Sequence, residues 1–200
     1  MTVRPGDLLE YWFGPAAHDA GAIDERMGLW FKPTRQQDEQ VREVFEATMK
    51  KAAAGALTEW LVSARGRLAM ILALDQAPRV IYRGQAQAFA HDSQALALAL
   101  AGLMNGADRE LGLAERAFFY LPLEHSEDRL AQRLSVQSYE RLAADFPDHP
   151  ELTASFLKYA REHADVIERF GRFPHRNRAL GRTSTAEERA FLEDAPRWGQ

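Results

Sequence analysis

The chain has 200 residues, 46% of them apolar and 27% charged, with a formal net charge of −4 and no cysteine. That length suits a single domain with a substantial core, and the acidic balance argues against general affinity for nucleic acid or an anionic membrane, which needs a broad basic face. Without thiols the chain has no disulfide, thiolate metal site or cysteine nucleophile.

The start, MTVRPGDLLEYWFG, carries no basic-then-apolar leader, and no apolar run approaches the roughly 18 residues of a membrane helix. A soluble cytoplasmic protein is expected. Helical periodicity dominates and no alternating strand run appears, so the expected fold is all-α: one domain over 1–200, built as an antiparallel helical array. A first helix over 7–13 is closed by Gly14-Pro15, and a loop with Trp30, Phe31 and Pro33 follows. Thr34 then caps a long helix, with Val41, Val44, Phe45, Thr48 and Ala52 at steps of three and four residues, ending at Gly55. Further helices are expected over 60–75, 93–104, 126–145 and 148–170, and a short last one starts in TSTAEERAFL, where Ser184 and Glu187 fit a capping box. No 34-residue repeat is found. Whether Trp30, Trp60 and Trp198 are core, interface or groove is not legible.

The segment RFGRFPHRN and its surroundings pose the main functional question. From Arg169 to Arg182 there are five arginines, one histidine and no acidic residue, and like charges so close require negative partners. In the preceding helix Leu152, Phe156, Tyr159, His163 and Phe170 share an apolar face, so His163 should be buried and hydrogen-bonded. Gly171 suits a left-handed helix end, and Phe173 and Pro174 should pin a stiff loop whose arginines face a common space. Asp75 continues the row of Leu68, Ile71 and Leu72 and therefore points inward at a helix end. In PLEHSED, Pro122 should end one helix and Ser126 start the next, leaving Glu124 and His125 at an anion-attracting helix amino terminus. Asp92 reads as a helix cap. His125, His163 and His175 with Asp75 or Glu124 are metal-ligand residue types but lack the i, i+4 pairing of a helical zinc motif, so no metal is assigned. No phosphate loop or nucleophile elbow appears, and no cofactor is identified.

Three segments, LDQAPRVIYRGQAQAFAHD, PLEHSEDRLAQRLSV and RFGRFPHRNRALGRTSTAEERAFL, together with the YWFG start, resemble the bacterial and fungal family catalogued as domain of unknown function 924. The resemblance covers nearly the whole chain and implies a helical fold like that of tetratricopeptide repeats. It departs at Ala77, where the family's Asp-Gln-Phe-Pro-Arg has an aromatic, and at His91, where the family has threonine. It marks Asp75, Gln76, Arg79, Arg83, Glu124, His125, Arg172, His175, Arg176 and Asn177 as part of a shared polar set, without naming an activity. Some fungal relatives carry a glutathione transferase or peroxidase label, for which this chain supplies no thiol.

Three readings follow. In the first, the chain is a small-molecule enzyme or binder, with Arg79, Arg83, Arg172 and Arg176, helped by Asn177 and Gln76, holding an anionic phosphate or carboxylate, and His125 or His175 acting as general acid or base oriented by Asp75 or Glu124. In the second, it is a helical adaptor gripping an acidic peptide or protein. In the third, the polar set is a structural network joining Asp75, Glu124 and Glu127 to Arg79, Arg83, Arg169, Arg172 and Arg176. Oligomeric state is not read from the sequence.

Overall fold

The computed structural model describes residues 3–31 and 33–194, and among these the secondary structure is helical throughout, with no strand. Helix α1 (Pro5–Phe13) begins on a proline, whose missing N–H costs nothing in a first turn. Gly14 ends it at φ 49°, in a position where the Arg26 guanidinium fills the space a Cβ would need. The expected loop around Trp30 is instead helix α2 (Ile23–Phe31), and Trp30 donates from Nε1 to the Trp12 carbonyl at 2.9 Å. Trp12, Phe13, Trp30, Phe45 and Phe118 meet edge to face around this point. Trp30 and Trp60 are thus core residues, whereas Trp198 lies outside the described residues.

Thr34 caps α3 (Arg35–Ala53) as expected, in a reciprocal box with Gln37. Helices α4 (Ala64–Ile71) and α5 (Ala77–Ile81) form one continuous rod joined by a wide π turn over Leu72–Gln76. Pro78 has no N–H to offer, and its ring clashes with the carbonyl of a regular preceding turn. The wide turn just upstream, closed by the Ala77 N–H on the Leu72 carbonyl, accommodates it. Asp75 therefore sits inside the rod and not at a helix end, facing the core with no exposure. Helix α6 (Asp92–Asn105) follows, with His91 rather than Asp92 in the capping position.

The helix expected to end at Pro122 is α7 (Leu113–Glu124), which is buried along nearly its whole length and runs on through that proline. Glu124 is its last residue and His125 its carboxyl-terminal cap; α8 (Arg129–Asp145) starts later, capped by Asp128. The segment PLEHSED thus puts Glu124 and His125 at a carboxyl terminus, where the dipole disfavours anions, and not at the anion-attracting helix start expected. α9 (Pro150–Phe170) ends on Gly171 at φ 69°. α7, α8 and α9 pack side by side through four-residue connections, which makes them antiparallel. The final α10 (Ala186–Asp194) is capped by Thr185 and Glu188, one residue beyond the expected pair.

One large core runs from α1 to α9, and a small satellite of Val166, Ile167 and Phe173, with Phe170 and Phe191 against it, holds the last loop. Tyr159 is half exposed, off the buried row that contains His163. The end of α7 is fastened by Gln132 of α8, whose Nε2 reaches the carbonyls of Glu124 at 2.7 Å and Ser126 at 2.6 Å. Gln132→Leu keeps the volume and strands both acceptors, so it should lower unfolding free energy by about 2–3 kcal/mol, measured by urea denaturation. An unchanged midpoint would show that these carbonyls find other donors.

Candidate functional site

Four segments distant in sequence deliver polar side chains to one buried place. The π turn and α5 supply Asp75, Gln76 and Arg79, the first turn of α6 supplies Asp92, and α7 ends there with Glu124 and His125. α9 contributes His163, and the stiff loop after it contributes Phe173, His175 and Arg176. Asp75 accepts hydrogen bonds from His125 Nδ1 at 2.7 Å and from Gln76 Nε2, and pairs with Arg79 Nη1 at 3.2 Å. Burial alone would raise this carboxyl, but Arg79 and His125 outweigh it and hold Asp75 below the usual carboxylate range. An ionised Asp75 only accepts, so the proton of His125 is on Nδ1 and the Nε2 lone pair faces away from the carboxylate.

The two guanidinium groups are fixed by Asp92. Arg79 grips it with both nitrogens, at 2.8 and 2.9 Å, and Arg176 reaches it with one, at 3.2 Å. Arg176 is clamped between the rings of Phe89 and Phe173, 4.7 and 4.6 Å from their centres. Its Nε has no hydrogen-bond partner. Burial, and then the neighbouring charge of Arg79, push it down to about 10.

A row of rings runs from His125 through the buried His163 (6.4 Å between centres) and Phe173 (5.5 Å) to His175 (5.4 Å). His163 donates from Nδ1 to the Tyr159 carbonyl at 2.8 Å, with Glu124 3.3 Å from the same nitrogen. Burial, reinforced by Asp75 and Glu162, pushes Glu124 up to about 8, which makes it a neutral proton donor at neutral pH. Burial and then Arg79 lower His125, which is thereby kept as a neutral base.

The remaining expected residues lie elsewhere, because each meets a carboxylate of its own first. Arg83 pairs with Asp38 of α3 at 3.0 Å. Arg172 forks onto Glu188 of α10 at 2.6 and 2.9 Å, Asn177 bonds Ser184 and Glu188, and Arg169 pairs with Glu187. The arginines of RFGRFPHRN therefore fan out rather than share one space. Sequence reasoning passed over Asp92 as a cap and did not find Arg182, which holds Glu127 with two nitrogens at 2.7 and 3.0 Å. The family resemblance, which departs at the preceding His91, did not mark Asp92 either. Among the described residues no group of three or more histidine or acidic side chains is placed to hold a metal ion, and no helix is long and apolar enough to cross a membrane.

A family model described as "Bacterial protein of unknown function (DUF924)" matches residues 8–196. A solved structure of a protein of unknown function from Agrobacterium tumefaciens is 34% identical, with a TM-score of 0.81 over 96% of this chain and 97% of that one. A search of curated proteins finds no significant match.

The buried acid and histidines place opposite slopes on stability. Glu124 ionises near 8 in the fold against 4.5 as its ordinary value, so its contribution is complete below about pH 4.5 and is lost as pH rises to 8. His163 and His175, lowered by burial to about 3 from 6.5, contribute fully above pH 6.5 and lose that contribution as pH falls to 3. Glu124→Gln removes the first titration alone. Between pH 5.5 and 8.5 the wild type should lose stability relative to this variant by an amount on the order of a few kcal/mol, read from urea titrations at both pH values. Parallel behaviour would show that Glu124 is already ionised in the folded protein.

Proposed function

The chain belongs to the DUF924 family, and from that premise we propose that its buried cluster is the site of a small-molecule enzyme or binder that takes an anionic ligand and works by histidine acid–base chemistry. The observation that carries this reading is the 2.7 Å bond from His125 Nδ1 to Asp75. It fixes the imidazole's tautomer and orientation and leaves Nε2 as the base, the arrangement in which a carboxylate prepares histidine for proton transfer. Glu124, neutral and buried beside it in sequence, is the matching acid: two titratable groups whose surroundings drive their proton affinities apart. Arg176, with its unused Nε, is the group an incoming phosphate or carboxylate would satisfy, with Arg79 behind it.

The outer arginines support a structural role of their own. Arg172 on Glu188 and Arg182 on Glu127 tie the start of α10 and the loop before α8 to the RFGRFPHRN turn. Arg182 also donates to the Phe173 carbonyl, and Glu127 accepts the Phe173 N–H. This outer ring clamps the loop that presents His175 and Arg176, so the same nine residues divide into a scaffold and a site.

A thermal-shift screen with phosphate monoesters and dicarboxylates tests the reading. A ligand at a hundred times its Kd adds about 2.7 kcal/mol, and Arg176→Gln, or Arg176→Lys where the glutamine variant is unstable, should lose that shift. For any compound that is turned over, His125→Asn should keep the binding shift and lower kcat by about two to four powers of ten. If no anion shifts the wild type, or the shift survives both arginine variants, the cluster is a structural network.

A further inference from the structure

A cavity lies at the end of α7 away from the histidine cluster. It has a volume of about 450 Å³, within the range of small-molecule sites. Its apolar wall is formed by Ala16, Ala17, Leu113 and Phe146, and its acidic side by Glu110 and Glu115. Glu115 is 3% exposed. It accepts the Gly112 N–H at the start of α7, yet its Oε1 has no hydrogen-bond partner. The Arg65 guanidinium lies 3.1 Å from that oxygen, near enough for charge attraction but without the alignment of a hydrogen bond, and its side chain is 44% exposed. A buried carboxylate oxygen with an unmade bond is a costly feature to leave open.

We infer that this cavity binds a small organic cation, an amidinium, guanidinium or primary ammonium carried on an apolar body. The N–H groups of such a ligand complete the hydrogen bonding of Glu115 Oε1, the half-exposed Arg65 giving way. Glu110 adds a second negative charge at the mouth, and Phe146 and the alanines receive the apolar part, a ring face near a cation being favourable in itself. His18 and His149 at the rim place ring nitrogens within the lining, beside the remaining N–H groups. This site is separate from the histidine cluster: Glu115 and Glu124 stand nine positions apart on one helix, about 13 Å along its axis.

The test is calorimetric titration of the full chain with benzamidine, alongside its neutral and anionic analogues benzamide and benzoate. Benzamidine should bind saturably and benzamide at least about tenfold more weakly, the loss of one charge-assisted bond. Glu115→Gln should remove the preference for benzamidine over benzamide. The exposed Glu110→Gln, which carries no folding risk of that kind, should weaken benzamidine by about two- to fivefold. Arg65→Ala, which deletes the competing guanidinium, should leave benzamidine bound at least as tightly. The assignment is overturned if benzamidine does not bind, if benzoate or benzamide binds as well, or if Arg65→Ala abolishes binding.

Discussion

Asp75 carries a negative charge where water does not reach it, and much of the surrounding structure answers that one condition. An ionised carboxylate is tolerable in a protein interior only when cations and donors surround it. Arg79 from the same rod, Gln76 beside it and His125 from the end of α7 do so. Arg79 in turn brings in Asp92, and Asp92 brings in Arg176 from 84 residues away. Two carboxylates and two guanidiniums balance, with Glu124 kept neutral beside them. The chain's last loop is placed by the third and fourth steps of this succession, which is why a turn with so many arginines can dock on a core at all.

The outer pairs have a different character. Arg169 and Arg182 meet acids that reach the surface, where an isolated ion pair contributes little, and the partly exposed Arg172 meets the buried Glu188. Their worth lies in geometry: bidentate forks fix the direction of the loop, and Asn177 accepts from Arg182 while donating to Glu188. Phe173 stands at the boundary of the two layers, its backbone held by Glu127 and Arg182 and its ring by Arg176 and His163.

Amphipathic helices are legible in sequence because one face is wet. That is why α3, with Val41, Phe45 and Thr48 on one stripe, and the burial of His163 on α9 could be read directly, and why the inward direction of Asp75 followed from Leu68, Ile71 and Leu72. α7 has no wet face: from Leu113 to Glu124 only Leu121 escapes full burial, so no period appears, and Pro122 reads as a stop although the helix passes through it. Stopping that helix at Pro122 and starting the next at Ser126 reversed the polarity assigned to Glu124 and His125. The partners of the arginines were illegible for another reason. Arg182 finds Glu127 across 55 residues and Arg176 finds Asp92 across 84, and such separations are decided by tertiary packing, not by local pattern.

The π turn over Leu72–Gln76 holds one residue more than a regular helical turn would. The rod is therefore sensitive to length in a way its composition does not reveal. Exchanging one leucine there for another apolar residue leaves every later side chain pointing where it did. Deleting that same leucine restores the regular spiral and leaves the side chains beyond on nearly the same bearing, but the ring of Pro78 then meets the carbonyl four residues before it. In this stretch the count of residues carries information that the identities of its leucines do not: around Asp75 and Gln76, one apolar residue can replace another while the number stays bound.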